Sequence, residues 1–251
     1  MHETSLKMEI QRGLSNFADG KLAANATQLL KVLGYESQRT LTRASNSPDT
    51  FLEDFDSHRR MNREKALLHE WQTADFLFQL TADEIRQYTE ETITFHENRG
   101  VDDTIYYSYL FLAIKLKGGV YSRTALANIT REINKLYAMP AMLIFQHGGT
   151  LTFAIINRRP SQRESDRDVL EKITLIKDID VVNPHRAHLD ILSELSLDAL
   201  YQQHGFTNFL ELHQAWQKTL DTSELNRRFF KEIADWYFWA VGKVTFPVVC
   251  S

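Results

Sequence analysis

Cysteine is almost absent from this sequence. The single one, Cys250, cannot close a disulfide within the chain. That excludes the disulfide-stapled class of secreted domains and points to a reducing, cytoplasmic compartment. Long apolar runs are missing as well. The longest, such as Tyr109 to Ile114, fall far short of the ~18 apolar residues a membrane span needs. The N-terminal stretch MHETSLKMEI is polar and has no signal-peptide core, so neither secretion nor a membrane partner is expected. There is no excess of positive charge either. The formal net charge is −4, whereas a dedicated small nucleic-acid module is usually basic; DNA contact would have to come from a local patch. No P-loop, no Ser-His-Asp constellation, no internal repeat and no low-complexity tract occurs.

What is present reads as a packed domain. The 251 residues suffice for one large domain, or for one domain with a helical extension. Hydrophobic residues make up 43% and charged residues 25%, near globular averages, so a core is expected rather than disorder.

The pattern divides the chain in three. Residues 1–72 are N-terminal helices and an exposed connection. Leu14, Phe17, Leu22, Ala26, Leu29, Leu30 and Leu33 keep helical spacing over 6–33, and Gly20 admits a break into two helices. Residues 35–61 are polar, and 62–71 read as a short helix. Residues 73–180 form a mixed α/β core. Phe76–Leu80 has strand length, and Thr81 with Glu84 has capping-box spacing for a helix over 82–96. The strand at 106–117 is apolar without alternation, which implies burial on both faces. A helix over 122–137 follows, capped by Ser122, with the stripe Leu126, Ile129, Ile133 and Leu136. Next comes a hairpin, 142–145 and 151–156, around Gly148-Gly149, two residues able to take the positive φ of a tight turn. A charged loop at 158–168 leads to a fifth strand at 173–176.

Residues 186–245 form a helical subdomain, with helices at 186–203, 206–219 and 222–241. The last is apolar all round: Leu225, Phe229, Ile233, Trp236 and Ala240 on one side, Phe230, Tyr237, Phe238 and Val241 on the other. Such a helix must be covered. Either it packs inside this domain, or a partner or a further C-terminal portion covers it. The fold expected is α/β (α+β), a mixed sheet of about five strands flanked by helices.

Several stretches carry a resemblance: YLFLAIKLK at 109–117, RTALANITREIN at 123–134, AIINRR at 154–159, DVLEKITLIKDI at 168–179 and NRRFFKEIADWYFWA at 226–240. Together they resemble the N-terminal region of bacterial single-chain restriction–modification enzymes of the type IIG/IIS-like kind. In that family an adenine-specific DNA methyltransferase lies further along the chain. The resemblance covers roughly 70–245. It implies double-stranded DNA as a partner, bound weakly and without sequence preference by this part. It also implies a methyltransferase domain, on a longer polypeptide or a partner subunit, as the neighbour. S-adenosylmethionine belongs to that other portion. This chain lacks an Asn-Pro-Pro-Tyr-like loop, since Asn183-Pro184-His185 is not one, and it lacks the glycine-rich cofactor turn.

The resemblance also implies nuclease ancestry, and a restriction-endonuclease-like core is one arrangement that the strand–helix–strand order at 106–141 admits. That chemistry needs one acid and then acid-x-Lys on a strand, so that carboxylates hold Mg2+ and the lysine assists the attacking water. Framed on Lys115-Leu116-Lys117, the second acid is a lysine. Asp75, Asp102 and Asp103 are upstream acids, and Glu132 is one that could substitute. The catalytic candidates are therefore Asp102, Asp103, Lys117 and Glu132, with the metal set incomplete and the chain alone expected inactive. For DNA contact, Lys115 and Lys117, two apart on a strand, are expected to share a face. The loop residues Arg158, Arg159 and Arg163 form the densest basic cluster. His185 and His188 read as ordinary histidines at a helix start rather than metal ligands. The alternative to a DNA-handling role is a non-catalytic module that positions methyltransferase or specificity domains.

Overall fold

The computed structural model describes residues 2–89, 108–160, 168–220 and 233–243, with the backbone alone at 2–3, 157–160 and 168–172. Five strands form one mixed sheet in sequential order: β1 (Trp71–Thr81), β2 (Ser108–Leu116), β3 (Ala141–His147), β4 (Thr150–Pro160) and β5 (Asp168–Asp180). Only β2 and β3 run parallel; the other neighbours are antiparallel. Parallel pairing needs a crossover. Helix α4 (Arg123–Asn134) supplies it, started by Ser122, whose hydroxyl accepts from Ala125 N at 3.1 Å. The tight β3–β4 turn has Gly148 at φ +57°, the left-handed region that glycine enters without strain.

The unbroken apolarity of β2 has its physical reason in two cores. Tyr109, Phe111 and Ala113 point into one, while Leu110, Leu112 and Ile114 point into the other. On the second side lie α4 and α3 (Pro48–Phe55), with Phe51, Trp71, Ile129 and Ile133 filling the space. On the first side lie α1 (His2–Ser15) and α2 (Leu22–Val32), with α5 (Arg186–Glu194), α6 (Leu197–His204) and α7 (Phe209–Thr219). The C-terminal helices thus share a core with the N-terminal ones. Tyr35 joins them: its hydroxyl donates to Leu195 O at 2.5 Å and accepts from Trp216 Nε1 at 2.8 Å. Tyr109 of β2 stacks on Trp216 with centroids 4.6 Å apart.

Several elements differ from the sequence expectation. The helix over 6–33 breaks at Gly20, φ +81°, after a 3-10 turn at Asn16–Asp19. No helix spans 62–71: turns and a short 3-10 segment, Leu68–Glu70, precede a strand that already begins at Trp71. β4 and β5 run into the expected charged loop, since backbone pairing extends to Pro160 and Asp168. The helix over 186–203 is two helices, because Ser196 caps a new one by accepting from Ala199 N at 3.3 Å. In place of the helix expected over 82–96, a 3-10 turn forms at Ala82–Ile85, with Glu84 accepting from Thr81 N, and 86–89 are turn and irregular chain rather than helix; residues 90–96 lie outside the described residues. Of the last helix, residues 233–241 are described. Trp236 is 66% exposed and Phe238 72%, so among the described residues nothing covers this face. No described helix is long and apolar enough to cross a membrane.

Candidate functional site at the end of the sheet

Ligands of open α/β sheets gather beyond the carboxyl ends of parallel strands. At that end of β2 and β3 a cleft of ≈ 410 Å3 is lined by Lys21–Ala24, Asn46, Gln72, Thr73, Asp75 and Lys115. Each wall has a local cause. Asp19 Oδ1 accepts from Lys21 N at 2.9 Å and from Asn25 Nδ2 at 2.7 Å, which shapes the turn into α2. Gln146 of β3 donates to Phe17 O at 3.2 Å and holds that turn over the sheet end. Asn46 is set in place by its carbonyl, which accepts from Ala74 N at 2.9 Å. Arg43 binds Asp54 at 2.6 Å and Ala74 O at 2.7 Å.

The register defines the chemistry. Asp75 pairs with Ala113, and Thr73 with Lys115. Paired residues in an antiparallel ladder share a face, as do residues two apart. Asp75, Ala113 and Lys115 therefore point the same way, an acid on one strand beside Ala-x-Lys on the next. Burial is the main force on the Asp75 carboxyl and pushes it above the usual carboxylate range. Hydrogen bonds from Asn46 and Thr73 and the Arg43 charge oppose that only in part. Lys115 is half-buried and forms no ion pair among the described residues. A desolvated carboxyl and an ammonium without an ion pair thus line one cleft whose walls are otherwise largely apolar.

The other candidate residues fall elsewhere. Glu132 faces the opposite side of the sheet, where it is 3% exposed. Its Oε2 accepts from Asn62 N at 2.8 Å, and its Oε1 takes Lys135 Nζ at 2.7 Å. Both oxygens are thus engaged, one holding the loop at Asn62 and the other pairing with Lys135 at the end of its own helix. Lys117 does not share a face with Lys115. β2 ends at Leu116, and the chain turns there into Gly118 and Gly119. Lys117 Nζ donates to His69 O at 2.6 Å and lines a second cleft, ≈ 530 Å3, on the α3 side with Arg63, His69 and Trp71.

Arg158 and Arg159 pair through their backbones with Leu170 and Val169. Lys115 pairs with Gln146, and Gln146 with Leu151. Arg158 lies seven residues further along β4, roughly 23 Å at about 3.3 Å per residue. Lys115, Lys117, Arg158 and Arg159 therefore do not make one edge. Asp102, Asp103 and Arg163 lie outside the described residues.

His185 caps α5, its Nδ1 accepting from Ala187 N at 3.2 Å. Burial, then the neighbouring His185, lowers the His188 pKa below the usual histidine range, against the pull of Asp178. Among the described residues no group of three or more His, Cys, Asp or Glu is placed to hold a metal ion.

The two-residue side-chain period of a strand puts Ala113 and Lys115 on one face. What hid this frame was the end of the strand, because counting from Lys117 puts the frame two residues late. Asn46 and Thr73 carried no sequence signal, since they reach the cleft only through chain pairing. No protein-family model, curated protein or solved structure matches this chain.

Proposed function

We propose that this chain is the DNA-handling N-terminal region of a type II restriction–modification protein, nuclease-related in arrangement but without a complete metal site of its own. The supporting observation is the register that sets Asp75 across from Ala113, with Lys115 two residues on. A metal-dependent nuclease needs carboxylates to hold the cation beside the lysine. Here the second position carries a methyl group buried in the core, so one carboxylate is left, a weak ligand set for Mg2+. Lys115 retains the charge to meet a phosphate. The methyltransferase, and with it S-adenosylmethionine, belongs to another portion or subunit.

The test is duplex binding by fluorescence anisotropy across a salt series. Binding in the ~10⁻⁴–10⁻⁶ M range is expected, since net charge opposes it. Lys115→Ala should lower the salt slope by about one. With Mg2+ or Mn2+ no cleavage is expected. Cleavage abolished by Asp75→Asn would overturn the incomplete-site reading, and no binding at low salt would overturn the DNA-handling one. A second reading has one observation in its favour. The exposed Trp236, Tyr237, Phe238 and Trp239 suit a non-catalytic module that docks on other domains.

A further inference from the structure

We infer that residues 57–65, between α3 and β1, form the surface that docks the sugar–phosphate backbone of duplex DNA. The inference rests on the DNA-handling reading and specifies where the duplex lies. Within 58–65 stand Arg59, Arg60, Arg63 and Lys65 against one acid, Glu64, in a chain whose net charge is −4. All four cations are exposed. Arg59, Arg63 and Lys65 make no ion pair among the described residues.

An ordinary solvated charge run is loosely held, and this one is not. Two buried carboxylates grip its backbone. Asp56, 5% exposed, accepts from Arg60 N at 2.7 Å and from Met61 N at 3.3 Å. Glu132, 3% exposed, accepts from Asn62 N at 2.8 Å. Met61 and Ala66 are buried at either side of the exposed stretch, and Arg60 Nη2 donates to Leu136 O at 2.6 Å. Desolvating two carboxylates is costly. Here that cost secures the shape of a surface loop and leaves Arg59, Arg63 and Lys65 exposed and without an ion pair among the described residues. Pre-ordering lowers the entropy lost when phosphates bind, and the planar guanidinium fork suits phosphate oxygens. The loop also borders the second cleft, which Arg63, Lys117 and His69 line together with the acids Asp49 and Glu64. Lys117 stands with the loop on the α3 side of the sheet, while Lys115 opens into the acid–lysine cleft on the other side.

The experiment uses the full chain and a fluorescein-labelled duplex of mixed sequence. The triple variant Arg59→Ala/Arg63→Ala/Lys65→Ala is compared with the charge-matched Lys31→Ala/Lys218→Ala/Lys243→Ala, all exposed residues elsewhere. Circular dichroism confirms that both fold; if the loop triple does not, Arg63→Gln alone replaces it. Log K against log salt should lose a slope of roughly 2–3 in the loop triple, or about one in the single. Affinity at about 50 mM salt should fall at least ~10-fold in the triple, and the control should stay within about two-fold. Equal losses in loop triple and control, or a loss only in Arg158→Ala/Arg159→Ala, would overturn this surface while DNA handling stands. Absence of wild-type binding at low salt would overturn both.

Discussion

Replacing Tyr35 with phenylalanine removes one oxygen and should cost the whole domain stability. The hydroxyl is buried, with the side chain 1% exposed. It donates to Leu195 O and accepts from Trp216 Nε1. Burial also holds it protonated, raising its pKa far above the tyrosine range. In Tyr35→Phe both partners stay buried with no hydrogen bond from this position. An unsatisfied buried polar group costs about 1–3 kcal/mol, so two of them predict a loss of about 2–6 kcal/mol. For a chain of this size that is about 4–24 °C in Tm. Urea and thermal denaturation measure the loss. A double-mutant cycle with Trp216→Phe isolates the coupling, expected near 1 kcal/mol because the residues touch. The result should be one cooperative transition, since α2, β2, α5 and α7 meet at these rings. A loss under about 0.5 kcal/mol, or separate early unfolding of 186–220 in the wild type, would refute the shared core.

Asp75→Asn tests the price of the cleft. Its folded pKa lies above the unfolded 3.8. The folded state therefore holds the proton more tightly, and wild-type stability falls as pH rises from the unfolded pKa through the folded one. The variant should match or exceed wild-type stability at neutral pH and lose that advantage below pH ~3.8. A variant less stable at pH 7 than at pH 3, relative to wild type, would contradict this. Glu132→Ala should cost about 1.5–3 kcal/mol through the charged hydrogen bond to Asn62 N, with little added by the partly exposed Lys135. Glu132→Gln, which keeps an acceptor, should cost less. Hydrogen exchange at the Asn62 amide should accelerate in the alanine variant; unchanged protection would show that the loop does not depend on this carboxylate.

Local pattern sufficed for much of the architecture. The run 109–114 marked a strand buried on both faces, and α4 lies where its cap and stripe placed it. The β3–β4 hairpin turns at the paired glycines. Each of these is written in consecutive residues, because strand and helix periods and turn φ values are local properties. Pairing is not local. Two register irregularities, between Trp71 and Thr73 and between Phe76 and Phe78, set which β1 residue meets which β2 residue. They put Asp75 across from Ala113 beside Lys115, where the sequence frame had looked to Lys117. Tertiary packing sent Glu132 to the opposite face as a loop clamp, and it set Arg158 at the far end of the sheet from Lys115. It also drew α5–α7 into the N-terminal core, because a buried Tyr35 hydroxyl needs partners and finds them some 160 and 181 residues away. Sequence periodicity says which residues share a face; only long-range hydrogen bonding and packing decide what that face meets.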